Sequence, residues 1–151
     1  MKPSERLASL GLELPPVATP LAAYVSAARV GSQVWTSGQL PLVGGTPVAV
    51  GKVGAEVTPE QATDAARVAV LNALAAAAAV AGGLDEIRSI VKITAFVASA
   101  VDFTGQPAVA NGASNLLGEL FGDAGAHVRS AVGVAVLPLD VPVEIELVVE
   151  A

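Results

Sequence analysis

Between His127 and Glu150 one arginine, Arg129, and two glutamates, Glu144 and Glu146, stand among residues that otherwise read as apolar strands. Taking such a charge out of water is unfavourable unless it meets a partner or a ligand, so chemistry is expected first at these three side chains. The guanidinium of Arg129 offers a planar fork that matches a carboxylate with two hydrogen bonds and never loses its proton. The bland alternative is an ion pair between Arg129 and Glu144 or Glu146, made for structure alone. If Leu137 to Val141 is the turn of a hairpin, Arg129 lies opposite about Val148, with Glu144 some four residues further along, roughly 13 Å away at ~3.3 Å per residue. That separation disfavours a direct pair within one hairpin. The two charges can still meet a shared ligand where a pocket lies between subunits.

The rest of the chain narrows the chemistry by what it omits. There is no cysteine, which excludes disulfides, thiolate nucleophiles and cysteine metal sites, and His127 is the only histidine. Chemistry without metal or cofactor is expected. No acid stands at a recognisable spacing from His127, so a serine triad is disfavoured, and His127 reads as a solvated turn residue with nothing nearby to hold its tautomer. Gly45 to Lys52 superficially suggests a phosphate loop, yet its glycines are separated by five residues instead of four, and Val53 stands where a Mg²⁺-binding Ser or Thr is needed. Fourteen acids against eight bases give a formal charge of −6, which repels a phosphate backbone. The bases are scattered without interleaved aromatics, so no nucleic-acid partner is expected.

The N-terminal Met-Lys-Pro-Ser-Glu-Arg lacks the apolar stretch of a secretory signal. The apolar run from Val68 to Leu84 falls short of the roughly 20 residues needed to span a bilayer. A soluble, cytoplasmic protein without a membrane partner is expected.

These residues need elements to position them. With 53% hydrophobic residues in 151 but only five aromatics, the core must be built from Ala, Val and Leu packed closely. Residues 1–20, broken by Pro3, Pro15, Pro16 and Pro20, read as an N-terminal extension outside the core, with a short helical piece around Glu5 to Leu10. The domain proper is expected over residues 21–151. Tyr24 to Val30 and Gln33 to Ser37 are strands joined at Gly31-Ser32, a pair of hairpin-turn type. Pro41 to Pro47 reads as a loop and Val48 to Val53 as a third strand.

Thr58-Pro59-Glu60-Gln61 starts a helix on three grounds: a capping hydroxyl, proline in the first turn and Gln61 three residues after the cap. It should run to about Ala81 and stop at Gly82-Gly83. A strand over Ser89 to Val97 puts Val91, Ile93, Ala95 and Val97 on one apolar face. A second helix over about Pro107 to Phe121 follows, and then two strands. The pattern is α+β, with the helices gathered on one sheet face. The other face still carries Val and Ala, and an oligomer that buries it is expected.

Tyr24-Val25, Trp35-Thr36-Ser37-Gly38-Gln39-Leu40-Pro41, Asn72-Ala73-Leu74, Ile90 to Val97, and Arg129-Ser130-Ala131-Val132 through Leu137-Pro138 to Val143-Glu144-Ile145-Glu146 together resemble the reactive-intermediate deaminase family, also called the YjgF-like or L-PSP endoribonuclease family. The resemblance covers about residues 20 to 150. It implies a chorismate-mutase-like α+β fold and a homotrimer whose clefts between subunits bind small carboxylates. It also implies hydrolysis of enamines and imines such as 2-aminoacrylate to 2-keto acids and ammonia. On this resemblance Arg129 holds the substrate carboxylate, Glu144 positions the attacking water and Tyr24 stands at the cleft mouth. Gly38 and Ala131 offer backbone to the pocket, and Phe103 and Asn111 map onto further binding positions. Gly105-Gln106-Pro107 and the proline-rich first twenty residues depart from the common pattern, which leaves the pocket's shape open. The alternative is a trimer that holds a keto acid or related carboxylate without turnover. A ribonuclease, the other activity in the family's names, conflicts with the acidic charge.

Overall fold

In the computed structural model, which describes residues 1–151, the elements follow in the order α1 (Pro3–Ser9), β1 (Ala27–Val30), β2 (Gln33–Thr36), β3 (Leu42–Val43), β4 (Thr46–Pro47), α2 (Pro59–Ala81), β5 (Ser89–Ala98), α3 (Gln106–Phe121), β6 (Val128–Val134) and β7 (Val143–Glu150). The long helix begins where its capping signal stands. The Thr58 hydroxyl accepts from the Gln61 backbone N–H at 3.1 Å, and the Gln61 side chain accepts from the Thr58 N–H at 2.9 Å. It ends at Gly82, whose φ of 98° is the left-handed conformation that terminates a helix without side-chain strain.

Five strands form a mixed sheet in the order β1-β2-β7-β5-β6, and β3 and β4 make a separate small hairpin. Helices α2 and α3 cover one face, where Ile93, Ala95 and Val97 of β5 and Val143, Ile145 and Leu147 of β7 are buried. Ala62, Ala66, Ala69 and Ala73 of α2 are fully buried too; small side chains let this helix lie close to the sheet. Packing of α2 against α3 is equally tight: a Cβ on Gly112 would run into the backbone carbonyl of Thr63. By length and composition α2 could cross a membrane, but 61% of its apolar window is buried inside the protein. Its apolarity is that of a core helix.

Four expectations change. First, β6 and β7 are not a hairpin. Because α3 carries the chain from β5 to β6, these two strands pair in parallel, and β7 returns antiparallel on the other side of β5. Arg129 is therefore in register with Ile93 and, across β5, with Leu147. Second, Val48 to Val53 is not a strand: the pairing falls instead in the region read as a loop, where Gly44 and Gly45 (φ 59° and 81°) turn β3 into β4. Third, a bulge between Ile90 and Lys92 shifts the pattern of β5, so that Ile90 is buried in place of Val91. Fourth, the first residues belong to the core. Leu7 is 4% exposed in the main cluster, and Ser4 donates from both its backbone N–H and its hydroxyl to Asp85 at 2.9 and 2.7 Å.

On the sheet face away from the helices, Trp35, Val128 and Val132 are 51%, 65% and 43% exposed. This is the apolar face that the strand pattern leaves uncovered.

Candidate functional site

Glu144 lies on that open face, half-buried, in register with Phe96 of β5. What brings Gly38 to it is an irregularity in the β2–β7 ladder. Pairing runs to Trp35↔Val148 and resumes at the single bridge Gln39↔Ile145, so the β2 side carries one residue more than the β7 side. The Leu147 N–H that the break would orphan is taken by the Thr36 hydroxyl at 3.0 Å. The displaced Gly38 then sits under the Glu144 carboxylate: a Cβ there would stand 2.6 Å from Oε1. Glu144, Gly38 and Tyr24 line one small cleft, closed on one side by Ala18 to Leu21 of the N-terminal arm. The Ser26 hydroxyl donates to the Ala18 carbonyl at 3.2 Å, and the Leu21 N–H donates to the Tyr24 hydroxyl at 3.3 Å. The arm and the tyrosine thus hold one another.

Burial holds the Glu144 carboxyl above its ordinary pKa, and the nearby charge of Glu146 acts in the same direction. No ion pair relieves it; the basic residues that do meet acids are Lys52, Arg67 and Arg88. A carboxylate raised in this way is a better proton acceptor than one in free solution.

Arg129 is on the other side of the sheet. Its Nη1 donates to Asn111 Oδ1 at 2.8 Å and to Ser114 Oγ at 3.2 Å, and its Nη2 donates to the Pro107 carbonyl at 3.3 Å. Pro107, Asn111 and Ser114 are spaced four and three residues apart, one face of α3. All three acceptors are neutral, so the positive charge is held without being cancelled. Those bonds leave Nε–H and one N–H of Nη2 without a protein acceptor, on adjacent nitrogens whose spacing matches the two oxygens of a carboxylate.

The tautomer of His127 is fixed, contrary to expectation. Its Nδ1 lies 2.7 Å from the Gly125 carbonyl, which can only accept, so the proton of the neutral ring is on Nδ1. Nε2 then accepts from the Ser114 hydroxyl at 2.9 Å. Serine and histidine stand at nucleophile–base distance, but the Ser114 oxygen is itself engaged by Arg129.

Of the residues singled out from the sequence, two groups assemble: Tyr24, Gly38 and Glu144 in the cleft, and Arg129 with Asn111 on the helix side. Ala131 follows Arg129 by two residues on the same strand face and packs on the core edge. Phe103 joins neither group, its ring lying against Gly54 and Gly105. The two groups do not meet within one chain. Arg129 and Glu144 are two strands and three register positions apart, roughly 14 Å between Cα atoms, and on opposite faces. A larger groove between the arm, β3–β4 and α2 has Glu13 as its one ionisable lining residue and contains neither Arg129 nor Glu144. Sequence reasoning missed Ser114, Pro107 and the arm residues; the spacing of Pro107, Asn111 and Ser114 on one helix face was the available signal.

Comparison with known proteins agrees with this arrangement of elements. The family described as "YjgF/chorismate_mutase-like, putative endoribonuclease" matches residues 4–151. Protein TCP17 of Trypanosoma cruzi is 43% identical over 147 residues, 95% of this chain and 91% of that protein. A solved structure from Shewanella oneidensis, described as "a putative endoribonuclease", is 36% identical over the whole of both chains with a TM-score of 0.96. The E. coli protein TdcF, solved with bound serine, is 28% identical with a TM-score of 0.66, over 91% of this chain and 94% of its own. By sequence over nearly its full length and by fold, the chain belongs to the YjgF/chorismate-mutase-like family.

Proposed function

We propose that the protein hydrolyses reactive enamines and imines of the 2-aminoacrylate type to 2-keto acids and ammonia, in clefts between the subunits of a homotrimer. The observation that carries this reading is the state of Arg129: a guanidinium held by three neutral acceptors, with neighbouring N–H groups left over and no carboxylate of its own chain bound to it. Such a group suits a small organic anion. The bound serine of TdcF, itself a small α-amino acid, supports a ligand of that size that carries a carboxylate.

The chemistry asks little of the protein. An enamine such as 2-aminoacrylate tautomerises to the imine, whose carbon is already electrophilic. Arg129 holds the substrate carboxylate, and Glu144 orients water and takes its proton as the oxygen adds to the imine carbon. The tetrahedral carbinolamine then collapses, the proton passes to nitrogen, ammonia leaves and the keto acid remains. Because the two residues lie on opposite faces of one chain's sheet, they act together when Arg129 of one subunit faces Glu144 of another.

The test is ammonia release from 2-iminopropionate generated in situ, followed with the unaltered protein, Arg129→Ala and Glu144→Gln. Acceleration by the unaltered protein and its loss in both variants is expected, with pyruvate binding retained in Glu144→Gln. No acceleration by the unaltered protein overturns the proposal. If pyruvate still binds in that case, the protein is a carboxylate-binding trimer without turnover, the second reading that the arginine geometry accommodates.

A further inference from the structure

We propose that Ser114 and His127 are positioning residues that lock the Arg129 guanidinium in the orientation that offers its free edge to a carboxylate. The proposal rests on the reading of Arg129 as a carboxylate holder, and it adds what keeps that group aimed.

Three links make the chain. The Gly125 carbonyl accepts from His127 Nδ1 at 2.7 Å, which leaves Nε2 with a lone pair. The Ser114 hydroxyl, 2.9 Å from Nε2, gives its proton to that lone pair. Its oxygen is then turned to accept from Arg129 Nη1, at 3.2 Å. A serine hydroxyl rotates freely unless something fixes its proton. With the proton committed to the imidazole, the oxygen becomes a one-directional acceptor.

The consequence falls on the guanidinium. Asn111 and Pro107 alone would hold one Nη1 N–H and one Nη2 N–H. The bond to Ser114 uses the second N–H of Nη1, so this nitrogen has no proton left for other acceptors. The remaining donors are those on Nε and Nη2, and a carboxylate is steered to that edge. Pre-set donors lose less freedom on binding than mobile ones, which is where the gain in affinity arises. Arg129 lies on an edge strand paired only with β5, so without such support its long side chain has several rotamers to choose from.

The test has one readout that needs no ligand and one that does. In nitrogen-15 NMR, rotation about the Arg129 Cζ–Nη1 bond should be slow in the unaltered protein and at least about tenfold faster in Ser114→Ala and His127→Phe. Pyruvate binding should weaken about fivefold to tenfold in each variant. It should weaken no further in the double variant, because the two residues act in series. His127→Gln, which keeps an acceptor for the hydroxyl, should bind pyruvate within about twofold of the unaltered protein. Unchanged rotation in Ser114→Ala overturns the proposal, as does a double variant whose losses multiply. The two readings separate cleanly: slow rotation lost in the variants with no pyruvate binding by the unaltered protein sinks the carboxylate site and leaves the lock. Normal pyruvate binding with unchanged rotation does the reverse.

Discussion

The Glu144 carboxylate lies directly over Gly38, so that a Cβ at residue 38 would stand 2.6 Å from Oε1 and 2.8 Å from Cδ. Glycine is required here by space, since the backbone at this position is not left-handed. What a methyl group would displace is the end of a flexible side chain. Gly38→Ala should therefore fold, with stability changed by less than about 1 kcal/mol. If Glu144 positions the attacking water as proposed, moving its carboxylate by about an ångström is costly to rate, and turnover of 2-iminopropionate should fall by about 10²-fold. Thermal unfolding and steady-state rates on the same preparation check both halves of the prediction.

Glu144→Gln should show the opposite pairing of effects: less activity and more stability. Burial first, and Glu146 second, raise the folded-state pKa of Glu144, so the ionised form is disfavoured in the folded protein. The stability associated with this group is complete below the unfolded carboxylate pKa of about 4.3 and is lost as pH rises through the higher folded value. A neutral glutamine escapes that loss. Denaturant unfolding at pH 7 should find Glu144→Gln more stable, by under about 1 kcal/mol because solvent still reaches the carboxylate. At pH 4 or below the difference should vanish. A larger gain at acid pH than at pH 7 contradicts the assignment.

The contrast between Glu144 and His127 shows what a linear reading captures. Long elements with local signals are legible: the Thr58–Gln61 cap and the Gly82 stop delimit α2 because every interaction involved is within four residues. The alternation of β5 is equally local, and fails only where a bulge moves Val91 off its face. The pairing of β6 is a different kind of fact. That β5 lies between β6 and β7 depends on a crossover through α3, and no residue in either strand reports it. The same holds for His127, whose ring nitrogen is held by Ser114 from the middle of a helix, 13 residues earlier. Charges standing in apolar strands pointed to Arg129 and Glu144, and the resemblance added Gly38 and Tyr24; the support around Arg129 needed the packing.

Charge alone does not explain what Arg129 is suited to do. Its two uncommitted donors sit on adjacent nitrogens of a rigid plane, and a lysine has only a point charge to put in their place. Arg129→Lys should keep the net charge yet weaken pyruvate binding tenfold or more, about 1.4 kcal/mol. Asn111 and Pro107 would also lose the partners that they now satisfy. Calorimetric titration distinguishes this from a purely electrostatic site, in which the lysine variant would bind almost as well.

Close approach of α2 and α3 sets the position of the helix face that carries Asn111 and Ser114. At Gly112 the obstacle to a Cβ is the Thr63 backbone carbonyl, and a helix backbone cannot swing aside as a glutamate side chain can. Gly112→Ala should push α3 away from α2 and cost about 2 kcal/mol or more. Chemical denaturation measures this loss, and an alanine variant as stable as the parent contradicts the packing described.

Mixing two variants provides the most direct test of whether Arg129 and Glu144 are shared between subunits. Within a chain they are on opposite faces of the sheet, and a strand's side-chain alternation fixes that relationship whatever the rotamers. If clefts form between subunits of a closed ring, each cleft takes Arg129 from one chain and Glu144 from its neighbour. Arg129→Ala and Glu144→Gln, each inactive alone, should then complement. Random reassembly in equal amounts leaves about one cleft in four with both native residues, so about a quarter of the parent activity should return. A site built within one chain would leave every cleft defective, and the mixture would stay inactive. Adding Val132→Glu to both variants places a charge on the open apolar face, where Val132 is 43% exposed in the single chain. That substitution should abolish complementation and the proposed trimer together, as read by sedimentation.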